Sequence, residues 1–85
     1  MTLTDLPKFT PALVEGVDDV TPGNDVISRR LRELGFVQGE EVRVVGRGPI
    51  GGEPLLIQIG FTRFALRRAE ATRVRVKPVQ VRQVA

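Results

Sequence analysis

The chain has 85 residues and contains neither cysteine nor histidine, which removes most of the side chains with which proteins do covalent or metal chemistry. Carboxylates, carbonyls and water are the only ligands left for a metal, so a structural zinc site, a soft ferrous site and a Cys/His nucleophile pair are excluded on ligand chemistry. Ser28 is the sole serine, and no imidazole is available to take its proton. Asp18 and Asp19 are adjacent carboxylates, but they lack the Asp-x-Asp-x-Asp-Gly spacing and distal Glu of a hard-cation loop and read as a solvated turn. A carboxylate pair for glycoside chemistry would need a cleft that a domain this small hardly has room to build. Arg47-Gly48-Pro49-Ile50-Gly51-Gly52-Glu53-Pro54 invites comparison with phosphate-cradling loops. Those loops lead into a helix with Lys and then Ser or Thr, whereas Pro54 leads into a strand. The segment reads as a wide hairpin turn that exposes Ile50 for a partner or for packing. No catalytic constellation and no cofactor site emerge.

The remaining chemistry is that of arginine. Net charge is +3 with an isoelectric point near 10.6, and the charge is uneven: residues 1–28 hold one base against five acids, the rest twelve bases against five acids. Arg63, Arg67, Arg68, Arg73 and Arg75 could follow a phosphate backbone, so a small barrel binding nucleic acid through an arginine-rich face is the alternative reading. Stacking platforms are scarce, because the aromatics are Phe9, Phe36, Phe61 and Phe64 alone. Phe61 and Phe64 stand three apart in one strand, so only one of them can face the arginines while the other enters the core. The plainer reading is that arginine alternates with valine to keep strand faces soluble.

These residues must be carried by short elements. At 9.4 kDa one small domain is expected, held without disulfides by a core of Val, Leu and Ile. Leu3, Leu6 and Phe9, broken by Pro7 and Pro11, read as an arm laid over the core. Residues 12–17 suit a first strand. Asn24 or Asp25 can cap a helix in which Val26, Ile27, Leu31 and Leu34 fall at helical spacing, with Arg29 and Glu33 as an i,i+4 pair and Gly35 as a left-handed stop. From Glu40 the period changes to two, with Val42 and Val44 on one face. A loop over residues 46–54 then separates this strand from two more, over residues 55–59 and 61–66, joined tightly near Gly60. Ala69-Glu70-Ala71 allows one helical turn before an alternating strand that turns Val74 and Val76 inward.

The expected fold is mainly β: a small barrel of about five strands with one helix inserted after the first strand, since closure protects edges that an open sheet exposes. The domain is expected over residues 1–76. Residues 77–85 form a tail that is either an added edge strand or frayed, and an exposed Val79 to Val84 edge would make homodimers possible. The first residues have no basic and apolar leader pattern, and no run approaches the ~18 to 20 apolar residues of a membrane span. A soluble, cytoplasmic protein is expected.

The order Leu34-Gly35-Phe36, Gly39, Val42 and Val44, Gly48-Pro49-Ile50-Gly51-Gly52 and Pro54, Ala65-Leu66-Arg67-Arg68, Glu70-Ala71 and Val74 to Val76 resembles the FeoA family of bacterial ferrous iron transport accessory proteins. The resemblance covers about Leu3 to Val76. It implies an SH3-like barrel, also seen as the C-terminal domain of DtxR-type repressors, and a non-enzymatic role beside the membrane permease FeoB and its GTP-binding domain. On that reading the barrel acts by contact. The candidate contacts are Arg47, Pro49, Ile50 and Gly52 on the long loop with Arg29 and Arg32 on the outer helix face, while Leu31, Leu34, Phe36, Val42 and Leu66 belong to the core. A third reading is a carrier of a metal or small ligand held by oxygen atoms.

Overall fold

A computed structural model describes residues 1–20, 23 and 25–79. Five strands, β1 (Ala12–Val17), β2 (Glu41–Gly48), β3 (Gly52–Ile59), β4 (Thr62–Leu66) and β5 (Val74–Pro78), form one antiparallel sheet in the order β4-β3-β2-β1-β5. Helix α1 (Val26–Leu34) lies between β1 and β2, and the single turn α2 (Arg68–Ala71) links β4 to β5. Alternation drives each strand. Val42 and Val44, Leu55 and Ile57, and Val74 and Val76 all point into one core together with Leu31, Phe36 and Leu66. Leu34 and Phe64 pack against that core half-buried, and the Phe64 ring tilts against Phe36 with centroids 6.1 Å apart. Phe61 is fully exposed in the turn before β4, which begins at Thr62 and not at residue 61.

The barrel curvature comes from bulges. Register slips between Val14 and Gly16 on β1, and between Val44 and Gly46 on β2, each insert a residue that bends and twists its strand. Among the described residues β4 and β5 are not paired with each other; the sheet curls, and α2 lies between their ends.

Several expectations need correction. Phe9 is not part of the buried arm: Leu3 and Leu6 are fully buried, but Phe9 is 62% exposed at φ 65°, with its N–H bonded to the Val44 carbonyl at 2.8 Å. That bond and left-handed turn point the ring outward, where Lys8 Nζ sits 5.4 Å from its centre. The helix buries Ser28 and Leu31 rather than Val26 and Ile27, which are exposed. Ser28 can face inward because its hydroxyl donates to the Asp18 carbonyl at 2.7 Å, so the buried oxygen is satisfied. Arg29 and Glu33 form no ion pair among the described residues. The loop over residues 46–54 is mostly strand, and only Pro49, Ile50 and Gly51 lie between β2 and β3. The final strand reaches Pro78 rather than ending at Val76, and the Val79 N–H continues to the Pro11 carbonyl at 3.0 Å. Asn24 as a cap, and the tail edge beyond Val79, lie outside the described residues.

The long β2–β3 hairpin depends on Gly48. Gly48 pairs with Gly52, and a Cβ at Gly48 would land on the Glu53 carbonyl and 2.7 Å from the Pro54 nitrogen. These obstacles are backbone and cannot swing away. Gly48→Ala is therefore expected to destabilise the fold by about 1–3 kcal/mol, as overpacking does, in urea-unfolding measurements. Gly51→Ala, which has open space around it, should cost only the strain of its positive φ.

Asp25 is the polar counterpart of that constraint. Its carboxylate accepts from the N–H groups of Ile27 (3.0 Å) and Ser28 (3.2 Å), capping α1, from the Val20 N–H at 2.8 Å, and from Arg73 Nε at 2.9 Å. The Val20 amide and the Arg73 guanidinium hold its carboxyl well below the usual carboxylate range. A depressed folded pKa means stability that is complete above the unfolded value and is lost as pH falls through the folded one. Asp25→Asn is therefore expected to lower Tm at neutral pH, and the gap to the native chain should narrow as pH drops from about 4 to 2. A gap that stays constant over that range would contradict the assignment.

Candidate functional site

The candidate site is built on the β2–β3 hairpin. Pro49, Ile50 and Gly51 form its tip, and the Glu53 N–H bonds back to the Ile50 carbonyl at 3.0 Å. Gly51 and Gly52 take positive φ of 62° and 80°, the conformations that let so short a connection turn. Ile50 is left 82% exposed at the turn, an apolar side chain presented to solvent. The tip is not loose. Arg68 Nη2 donates to the Gly51 carbonyl at 2.7 Å, and the Arg68 backbone N–H donates to Glu53 Oε1 at 2.7 Å. Both bonds strap the hairpin to the first turn of α2. Beside the strap lies a cavity of about 480 Å³ lined by Ile50, Glu53, Pro54 and Arg67.

Of the six sequence candidates, the structure gathers Pro49, Ile50 and Gly52 at this tip. Arg47 serves the scaffold, for its Nη2 donates to the Leu6 carbonyl at 2.8 Å and pins the N-terminal arm. Arg32 does likewise, donating to the Val17 carbonyl at 2.8 Å and pairing with Asp19 at 3.2 Å. Arg29 is exposed on α1, which packs chiefly on β1 and α2, so it is not part of the tip. Phe61, weighed from sequence only as a strand residue that could face the arginines, is fully exposed in the two-residue turn between β3 and β4. An aromatic directly after the turn glycine was the available signal, since a turn residue has no ladder position to fill.

The arginine-rich face divides in the same way. Arg68 straps the hairpin, Arg73 bonds Asp25 and the Ala69 carbonyl, and Arg75 Nε pairs with Asp18 at 2.8 Å. Three of the five arginines offered to a phosphate backbone are thus engaged within the chain. Asp18 and Asp19, the adjacent carboxylates, are each turned to a different arginine. Among the described residues no three acids stand together as a metal-ligand group, and no helix is long and apolar enough to cross a membrane.

Comparisons with known proteins agree with this architecture. A family model described as the FeoA domain matches residues 1–78. The crystal structure of Stenotrophomonas maltophilia FeoA complexed with zinc, described as a procaryotic SH3 domain protein and a candidate ferrous iron transport activating factor, is 66% identical. The match covers 91% of this chain and 89% of that one at a TM-score of 0.82. The iron(II) transport protein A of Clostridium thermocellum is 30% identical, with 93% of this chain and 46% of that one covered at a TM-score of 0.79. The manganese regulator SloR shares the fold at 16% identity, with 93% of this chain and 34% of that one covered and a TM-score of 0.72. No curated protein matches the chain. An SH3-like sheet with one inserted helix, matched over nearly its whole length by the FeoA domain, is what the residues had suggested: the chain belongs to the FeoA family.

Proposed function

We propose that this protein is a non-catalytic accessory factor of ferrous iron uptake that works by touching a FeoB-type permease at its cytoplasmic GTP-binding domain. The observation that carries the reading is the hairpin tip, where a rigidly strapped apolar residue, Ile50, is held 82% exposed. A preformed apolar anchor loses little conformational entropy on docking, which makes it an effective centre for a protein interface. Pro49 and Gly52 complete the tip surface, and the cavity beside Ile50 offers a socket between an acid, Glu53, and a base, Arg67. Arg29 supplies a rim charge on the helix, suited to tuning the encounter rate more than the affinity. Arg32 and Arg47, spent on holding loop and arm, support the surface instead of touching the partner. Iron is the cargo of the partner and needs no ligand here. Any regulator of this kind must bind one state of its partner better than another.

The test is capture of the isolated GTP-binding domain of the permease by the purified protein, in each nucleotide state. Ile50→Asp is expected to cost about 2 kcal/mol or more of binding, as loss of a central anchor does, with Tm unchanged because the side chain buries nothing. Undiminished capture by that variant would remove the tip from the interface.

A further inference from the structure

The two edges of the sheet are treated differently. The outer edge of β5 is covered by the N-terminal segment: Thr2 bridges Arg75, and the Val76 N–H bonds to the Met1 carbonyl at 2.9 Å. Among the described residues the outer edge of β4 has no such cover: the backbone of Thr62–Leu66 bonds to β3 and to nothing else. The register shows which groups are free. Gly60 and Phe61 form a two-residue turn closed by the Ile59–Thr62 pair, and Gly60 has φ 56°, as a II′ turn asks of its first central residue. The closing pair of such a turn exchanges both hydrogen bonds, so bonding to β3 falls on Thr62, Phe64 and Leu66. The N–H and C=O of Arg63 and Ala65 therefore face away from the sheet. Exposed edges of this kind are normally blunted or covered.

Beside the open edge runs a groove of about 330 Å³, walled by α1 through Arg30, Leu31 and Leu34, by β4 through Arg63 to Leu66, and by Glu70 of α2. Phe64 and Leu34 give it an apolar floor, both half-buried against the core. Arg30 on the helix rim has no partner among the described residues, and Arg63 makes only a long bond of 3.4 Å to Gln58. These two arginines stand out in a chain whose other arginines mostly bond inward. Both border the groove, Arg30 beside Glu70, and strand alternation sets the Arg63 side chain on the face opposite Phe64.

We propose that the open edge of β4 is a docking strand for an extended acidic peptide of a partner protein, which adds to the sheet as a further strand. Main-chain bonds to Arg63 and Ala65 would supply affinity, and alternate side chains would supply selectivity. An apolar residue opposite Phe64 enters the groove beneath α1, and its acidic neighbours, which all lie on the other face of the added strand, meet Arg63. A second copy of this chain fits less well, since pairing β4 with β4 would place the Arg63 side chains of the two copies on one shared face. This surface is distinct from the Ile50 tip, and neither assignment depends on the other.

The probe is a blocked seven-residue peptide alternating Glu and Val, titrated into the uniformly ¹⁵N-labelled chain and followed by amide NMR. Expected are shifts and new exchange protection at Arg63 and Ala65 with the Ile50 amide unmoved, and affinity that weakens with salt. A peptide with Lys in place of Glu should not bind, and Arg63→Glu should weaken the acidic peptide about tenfold. Ala65→Pro removes an outward N–H that the native sheet does not use, a change edge strands tolerate, and it too should abolish binding while the core amides of Phe36 and Val44 stay in place. Equal binding of the Lys peptide, shifts centred on Ile50, indifference to both substitutions, or self-association through β4 without any response to peptide would each overturn the proposal.

Discussion

Arg73 reaches from the loop after α2 to the Asp25 carboxylate at 2.9 Å and to the Ala69 carbonyl at 2.7 Å, and both ends of its ion pair are nearly shielded from water, with side chains 15% and 6% exposed. It is one of a set. Arg32 bonds the Val17 carbonyl, Arg47 the Leu6 carbonyl and Arg68 the Gly51 carbonyl. Each joins a segment outside the strands to a strand or helix far away in sequence. A chain of 85 residues buries a modest fraction of its surface and has no disulfide to limit its unfolded state. The planar guanidinium, with five donors in a fixed fork, is suited to replacing such a staple, because one side chain can satisfy two acceptors on different segments. Loops that would otherwise have unsatisfied carbonyls are thereby fixed to a core of small aliphatic residues.

This use of arginine decides what the surface can do. Three of the five side chains that could form a phosphate-tracking stripe, Arg68, Arg73 and Arg75, are engaged within the chain. The hairpin tip gains the rigidity lost by a nucleic-acid surface, since the strap that consumes Arg68 is the one that holds Gly51 and Glu53. The described residues offer a fixed apolar point at the hairpin tip and an open strand edge at β4. Both are surfaces to which another chain can add.

The fold could be read largely from local pattern. The change of period from helix to strand around Gly35, the cap at Asp25 and the inward set Val42, Val44, Val74 and Val76 each express a rule about single residues and their neighbours, and those rules hold here. The site could be read only in part. Glycine and proline over residues 46–54 signal a break in regular structure, but Gly48 is there because two strands approach closely, a fact about the partner strand that the local sequence does not carry. Arg32 and Arg47 look like outward charges for the same reason. Their acceptors are 15 and 41 residues away, and no periodicity encodes a bond to a distant carbonyl. Ser28 turning inward while Val26 and Ile27 turn out likewise depends on the Asp18 carbonyl waiting opposite.

The most direct test of this account is the ¹⁵N NMR spectrum of the arginine guanidinium groups. Groups locked between acceptors rotate slowly about Cζ–Nε and exchange their protons slowly with water, whereas free ones average. Distinct, slowly exchanging signals are expected for Arg32, Arg47, Arg68 and Arg73, with averaged signals for Arg29 and Arg30. Averaged signals from all of them, in a chain that remains folded, would show that packing alone holds the loops and the hairpin tip.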